Sequence, residues 1–184
     1  MITVSKYTGI LLLMALLSAC APAVHTDFDR AFNFGTLKSY ALMPAEPSQA
    51  GPLLQGPLID KRLNQALQNG LIANGYNKSS HPDFYVRYRL ATKTEISGGS
   101  GLGYGLGYFG GNMGVGMHSG GYPQQSDKAV LTISFYDGKD QSILLWRGVT
   151  EKRISKHNTG AGYIDRLIDE LVDVILSKFP PVRK

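Results

Sequence analysis

The sequence contains a single cysteine among its 184 residues, at position 20. One cysteine excludes an internal disulfide, and once its thiol is modified no thiolate metal site remains. The chain also lacks a run of the roughly 20 apolar residues that a membrane-spanning helix needs, since its apolar stretch at 10–17 is about half that length. H-E-x-x-H, G-x-S-x-G and Walker sequences are absent as well. The usual signatures of zinc peptidases, serine hydrolases and P-loop nucleotide binders are therefore missing.

The number and distribution of charged residues give little support for nucleic-acid binding. Lys and Arg total 19 against 14 Asp and Glu, and the basic residues form no cluster of the kind that binds a phosphate backbone. We therefore expect no nucleic-acid partner. The match to G-x-G-x-x-G at 105–110 lies within a run of glycines and is not followed by a helical pattern, so it does not indicate a nucleotide site. The sequence predicts no cofactor apart from a covalent lipid.

The predicted lipid site is Cys20. Residues 1–19 have the layout of a secretory signal, with Lys6 near the start, an apolar region and two small residues before the cysteine. The tetrapeptide Leu-Ser-Ala-Cys at 17–20 resembles a bacterial lipobox, in which a peptidase cuts before a cysteine that carries a diacylglyceryl thioether and usually an N-acyl chain. The alternative is an ordinary signal peptide cut elsewhere. Because Ala21 and not Asp follows the cysteine, resemblance to Gram-negative lipoproteins favours the periplasmic side of the outer membrane.

The mature chain, residues 20–184, has the length of one domain. Alternating apolar residues predict strands, and spacings of three and four predict two amphipathic helices. We expect an α+β two-layer sandwich in the order β-β-α-β-(Gly-rich loop)-β-β-α, a mostly antiparallel sheet of about five strands with two helices on one face. The strands are expected to begin near Val24, Lys38, Phe84, Ala129 and Ile143, and the helices near Leu58 and Tyr163.

The Gly-rich insertion at 96–126 carries 12 glycines and no charged residue. Two interpretations stay open. Ordering so much glycine is entropically costly, which favours a disordered loop. Alternatively, the strict alternation at 101–108 predicts an adaptable segment that orders against a partner, a membrane or another copy of itself. Its predicted contact residues are Leu102, Tyr104, Leu106, Tyr108 and Phe109.

Two function classes follow from these features. The first is a non-enzymatic binding or assembly module of the cell envelope, with the membrane reached through the lipid and an envelope protein as partner. The second is a periplasmic hydrolase or metal-dependent enzyme that uses His25, Asp27 and Asp29, although both carboxylates are expected to cap a turn instead. Trp146 is expected in the core, with Arg147 on the opposite face of its strand.

Several short motifs occur in a fixed order along the chain. They are Thr-Asp-Phe-Asp at 26–29, Phe-Gly-Thr-Leu-Lys-Ser-Tyr at 34–40, Gly-Tyr at 75–76, Pro-Asp-Phe-Tyr-Val at 82–86, Leu-Trp-Arg-Gly at 145–148 and Phe-Pro-Pro at 179–181. In order and spacing they resemble a family of small bacterial lipoproteins, domain of unknown function 4136, over nearly the whole mature chain. The resemblance implies a lipid-anchored, periplasm-facing α+β domain. It implies no activity, because none is established for the family.

Overall fold

The computed structural model describes residues 23–97, 102–109, 112–119, 124–155 and 158–181, with the backbone alone given for 97, 102–109, 112–119 and 124. Eight strands and two α-helices follow one another in these residues. The strands are β1 (Val24–Phe28), β2 (Ser39–Leu42), β3 (Asn77–Lys78), β4 (Phe84–Ser97), β5 (Leu102–Phe109), β6 (Asn112–Ser119), β7 (Gln124–Asp137) and β8 (Leu144–Arg153). The helices are α1 (Pro57–Ala73) and α2 (Ala161–Leu176).

The main sheet has six strands in the order β1-β8-β7-β4-β2-β3. The pairs β1–β8, β8–β7 and β7–β4 are antiparallel, whereas β2 runs parallel to both β4 and β3. Its central feature is the long ladder, the pairing of β4 with β7 from Phe84–Asp137 to Ser97–Gln124. The predicted two-layer α+β fold is thus confirmed, with six strands instead of about five.

Both helices cover one face of this sheet. Pro57 begins α1, where its missing N–H costs nothing, and Gly75 ends it with a φ of 88°, a conformation that glycine adopts without strain. The Tyr88 hydroxyl of β4 donates to Asp60 Oδ1 of α1 at 3.3 Å. A Cβ on Gly70 would lie 2.6 Å from Leu176 Cδ1. Gly70 therefore lowers helix propensity but lets the two helices approach closely.

The core between the layers is centred on aromatic rings. Phe179, just after α2, lies 4.4 Å from the ring of Phe135 and 5.3 Å from that of Trp146, centroid to centroid. Trp146 is fully buried, as predicted. Gly148 makes room for it, because a Cβ there would collide with the indole ring and lie 2.6 Å from Ile175 Cγ2. Of the helices in the described residues, neither is long and apolar enough to span a bilayer.

The structure corrects the expected element order in two places. It adds the short strand β3, which continues the parallel edge of the sheet. It also replaces the expected glycine loop by β5 and β6, which pair with each other as a separate two-stranded sheet. We refer to these two strands as the Gly/Tyr hairpin. The period of two in this segment is the period of a strand, and in-register pairing satisfies backbone groups that a loop would leave to water.

Candidate functional site

Cys20 and the rest of the predicted signal lie outside the described residues, which begin at Ala23. The predicted contact residues lie in β5, for which the structure describes the backbone but not the side chains. The register shows that large residues of β5 pair with large residues of β6, and that its central glycines pair with glycines. Tyr104 pairs with Met117, and Leu106 pairs with Val115. Positions 105 and 107 are glycine, and both pair with glycine.

The chain enters the sheet at a defined end. Val24 pairs with Thr150, Thr150 with Leu131, and Leu131 with Leu90, so these four residues share one cross-strand row. The pairing direction means that the first residue of β1 is the one nearest the Ser97 end of the long ladder. From Leu90 to Ser97 the ladder extends about 23 Å further, at roughly 3.3 Å per residue. The start of β1 and the end of the ladder that precedes the Gly/Tyr hairpin therefore face the same side of the main sheet.

The structure does not gather His25, Asp27 and Asp29 into one site. Asp29 Oδ1 accepts the Ala31 N–H at 2.8 Å, so this carboxylate caps the turn after β1 as predicted. Asp27 lies on β1, opposite Arg147, and does not form the predicted cap. His25 lines a shallow depression of about 400 Å³ together with Lys93 and Glu151. Across the described ranges, no three His, Cys, Asp or Glu residues are grouped as metal ligands.

Asp83 holds the parallel edge of the sheet together. Its Oδ2 accepts the N–H groups of Lys38 and Ser39 and the Ser39 hydroxyl, all at 2.9 Å. These hydrogen bonds, that from the Lys38 N–H foremost, hold the pKa of Asp83 below its usual range. Gly138 approaches the backbone of Asp83 so closely that a Cβ would lie 2.7 Å from its carbonyl carbon. This carboxylate is therefore a structural anchor of β2.

The sheet face opposite the helices, which we call the helix-free face, carries several charged side chains, and two groups of them span neighbouring strands. Toward the Ser97 end, Lys128 Nζ lies 2.9 Å from Glu95 Oε2 and also contacts Glu151. Lys93 Nζ lies 3.0 Å from Glu95 Oε1 and 3.7 Å from Glu151 Oε2. Hydrogen bonds from Lys128 lower the pKa of both glutamates. Two cations and two carboxylates thus neutralise one another in this cluster.

The arginines of the second group form no ion pair with the carboxylates that the structure describes, although Asp27 of β1 lies opposite one of them. Arg87 of β4, Ser134 of β7 and Arg147 of β8 share one cross-strand row, which we call the arginine row. Arg147 Nε donates to the Ser134 hydroxyl at 3.3 Å, and the guanidinium carbon of Arg87 lies 5.5 Å from the ring centroid of Tyr136. Alternation along β4 and β8 indicated exposed arginines. The sequence could not reveal that they flank the same serine, because that depends on the register of three strands.

The fold defines the class of the protein. It is a two-layer α+β domain in which two extra strands are inserted between β4 and β7. The chain belongs to the family "Domain of unknown function (DUF4136)", which matches residues 24–181. The resemblance drawn from the short motifs is thereby confirmed. The family's function is unknown, so membership does not assign an activity to the chain.

Solved structures with a similar fold share little sequence with this chain. A PDZ domain protein from Parabacteroides distasonis matches with a TM-score of 0.56 and 13% identity over 89% of this chain, which spans only 36% of that protein. The PelC dodecamer from Paraburkholderia phytofirmans matches with a TM-score of 0.50 and 10% identity, covering 88% of this chain and 99% of that one. A DUF4136 family protein from Bacteroides thetaiotaomicron matches with a TM-score of 0.49 and 15% identity, covering 88% and 97%. No curated protein matches the chain.

Proposed function

We propose that this chain is a cell-envelope lipoprotein, held by a lipid on Cys20 at the periplasmic face of the outer membrane, and that its domain is a non-enzymatic binding or assembly module. The Gly/Tyr hairpin is its contact segment, through Leu102, Tyr104, Leu106, Tyr108 and Phe109. The anchor rests on the lipobox at 17–20. Two or more acyl chains make such an attachment stable, whereas one chain binds only reversibly.

The observation that supports the proposal is the direction of β1. This strand begins toward the end of the long ladder that precedes the Gly/Tyr hairpin. Cys20 precedes Val24 by four residues, which reach at most about 14 Å. The ladder extends about 23 Å beyond the row of Val24 in the same direction. A lipid on Cys20 would thus hold the domain so close to the bilayer that the Ser97 end and the hairpin meet the membrane surface or a protein within it.

The composition of the hairpin suits such a contact. The whole insertion at 96–126 lacks charged side chains, and large apolar residues occupy alternate positions of β5. Placing a charge at an apolar boundary is costly, whereas Tyr combines an apolar ring with a polar hydroxyl and is enriched at interfaces. The ionic cluster at Lys93, Glu95, Lys128 and Glu151 comes next along the ladder. It would mark where the polar surface of the domain resumes.

The anchor is tested by fractionating cells that express the Cys20→Ser variant. We expect this variant in the soluble fraction, while Ala21→Ser, which leaves the cysteine intact, stays with the membranes. Ala21→Asp should move the protein from the outer to the inner membrane in a Gram-negative host. Retention of Cys20→Ser in the membrane pellet would contradict the anchor.

The contact segment is tested by photo-crosslinking in intact cells, with a photoreactive amino acid at position 104 or, as the matched control, at position 139. Lys139 lies in the turn after β7, at the opposite end of the long ladder. We expect position 104 to crosslink to lipid or to an envelope protein and position 139 to give neither product. Equal crosslinking from both positions would refute a contact specific to the hairpin.

A further inference from the structure

The two guanidinium groups of the arginine row have no carboxylate partner, although most basic side chains of β4 and β7 on this face do. Arg89 pairs with Glu46, and Lys93 and Lys128 pair with glutamates. Among the residues that the structure describes, no carboxylate oxygen lies within 4.0 Å of the side-chain nitrogens of Arg87 or Arg147. With Asp27 opposite Arg147, two arginines and one carboxylate leave this row with a net positive charge, which favours anionic ligands.

The row is also partly desolvated, which strengthens its electrostatic interactions. Ser134, between the two arginines, is only 4% exposed. The Nε of Arg87 is buried and donates to no acceptor among the described residues. A buried N–H without an acceptor is costly, and hydrogen bonds to ionised groups in such surroundings are stronger than those in water. A carboxylate that reached this row would satisfy donors that the folded chain leaves unpaired.

The arrangement favours a ligand with several carboxylates over a single small anion. Arg87 and Arg147 lie on strands that are separated by β7, so their Cα atoms are about 9–10 Å apart. Both side chains lie toward β7, Arg87 over the Tyr136 ring and Arg147 bonded to Ser134, two residues apart on that strand. Acidic side chains at intervals along one polypeptide match two guanidinium groups that contact different residues of β7, each of which can donate to a carboxylate.

The surroundings of the row favour a protein partner. Half-buried Tyr85 and Tyr136 form the adjacent row, and Arg together with Tyr is the composition typical of protein interface hot spots. Ten residues of β4 separate Arg87 from Ser97, which places the row about 33 Å from the hairpin end of the ladder. A lipid headgroup in a membrane at the hairpin end would be too far away to bind the arginine row. We propose that the arginine row binds an acidic segment of a partner polypeptide through its carboxylates.

This site is tested by fluorescence anisotropy with the full chain and a fluorescein-labelled octapeptide of alternating Glu and Ser. We expect saturable binding that weakens with added salt, and no binding of the octapeptide in which Gln replaces Glu. The Arg87→Gln/Arg147→Gln variant should bind about tenfold or more weakly, since two charge-assisted contacts are lost. Equal affinity of the variant and the wild type would overturn the proposal.

Two further variants separate local recognition from net charge. Lys61→Gln/Arg166→Gln removes two exposed charges from the helix layer and should leave the affinity nearly unchanged. Asp27→Asn removes the carboxylate opposite Arg147 and should strengthen binding, because Asp27 repels an acidic ligand. If the helix-layer variant lost as much affinity as the arginine variant, the effect would come from net charge and not from a local site. That result would overturn the proposal.

Other occupants are distinguished by competition and sedimentation. If phosphatidylglycerol vesicles or inorganic phosphate displace the Glu peptide more effectively than unlabelled Glu peptide does, the site belongs to phosphate groups and the proposal is wrong. If the wild type self-associates and Arg87→Gln/Arg147→Gln does not, the occupant is a second copy, which also overturns it. None of these measurements depends on Cys20 or the hairpin, so their outcome is independent of the proposed function.

Discussion

Replacement of the Gly/Tyr hairpin by a tight turn should remove the proposed contact without destabilising the domain. Ser97 and Gln124 are directly paired at the end of the long ladder. Residues 98–123 can therefore be replaced by Asn-Gly, which forms the two-residue turn that best fits two antiparallel strands. The variant keeps every pair of the main sheet and lacks β5 and β6.

The expected change in the free energy of unfolding follows from the topology. β5 and β6 pair only with each other, and the core side chains that the structure describes all belong to other segments. An isolated two-stranded hairpin is at best marginally stable, so its loss removes little. Shortening the connection from 26 residues to two lowers the entropy cost of closing it by up to about 2 kcal/mol. We therefore expect stability between unchanged and about 2 kcal/mol higher.

Urea denaturation measures this change, and the photo-crosslinking assay reports the contact, with the photoreactive residue placed in the new turn. A second variant in which a Gly-Ser sequence of equal length replaces 98–123 separates the chemistry of the hairpin from the length of the connection. It should match the wild type in stability and lose the crosslinked product. A fall of more than about 2 kcal/mol in the Asn-Gly variant would refute the reasoning, because it would require the hairpin to pack on the core.

Three further predictions concern the domain itself. Gly148→Ala should destabilise it by about 1–3 kcal/mol, because the new methyl overlaps the buried Trp146 ring. Gly162→Ala, the same change at an exposed position of the first turn of α2, should instead stabilise by up to about 1 kcal/mol; equal effects in urea titrations would contradict this account of Gly148. Phe179→Ala should cost about 3–5 kcal/mol by calorimetry, since the ring joins five others in the core; a cost below about 1 kcal/mol would refute that role. Asp83→Asn should cost about 1 kcal/mol at neutral pH, a value kept low by the exposure of the carboxylate. Because the folded-state pKa of Asp83 is lowered, its contribution is present above the unfolded pKa and is lost as the pH falls through the folded pKa. Urea titrations of wild type and variant should therefore converge below about pH 4, and a constant difference down to pH 2 would contradict the assignment.

The strands and helices whose apolar residues recur at a regular local spacing could be predicted from the sequence. The alternation at Phe84, Val86, Tyr88 and Leu90 predicted β4, and all four side chains are buried toward the helices. The Asn-Gly pair at 74–75 is a sequence signal for the end of a helix, and Gly75, just after α1, has a positive φ. These features depend on a few neighbouring residues, so the sequence alone indicates them. The wide apolar stripe near the C-terminus indicated α2 for the same reason.

The parts that were missed depend on residues far apart in the chain. The parallel edge depends on Asp83, which binds the backbone of Lys38 and Ser39 more than 40 residues earlier. β3 has only two residues, too few for any periodic pattern. The arginine row requires the registers of β4, β7 and β8 together, and a shift of one residue would move Arg87 to the other face of the sheet. The registers of these strands cannot be read from any one segment of the sequence.

The central claim is that the domain is anchored through Cys20 with its hairpin end toward the same membrane. Lipidation of Cys20 would consume the only thiol in the sequence, so Tyr104→Cys and Lys139→Cys would each provide a unique site for a fluorophore. The lipidated protein is reconstituted into vesicles that contain brominated lipids, which quench fluorescence only at short range. We predict strong quenching of the label at position 104 and little at position 139. Stronger quenching at position 139 than at position 104 would contradict the account.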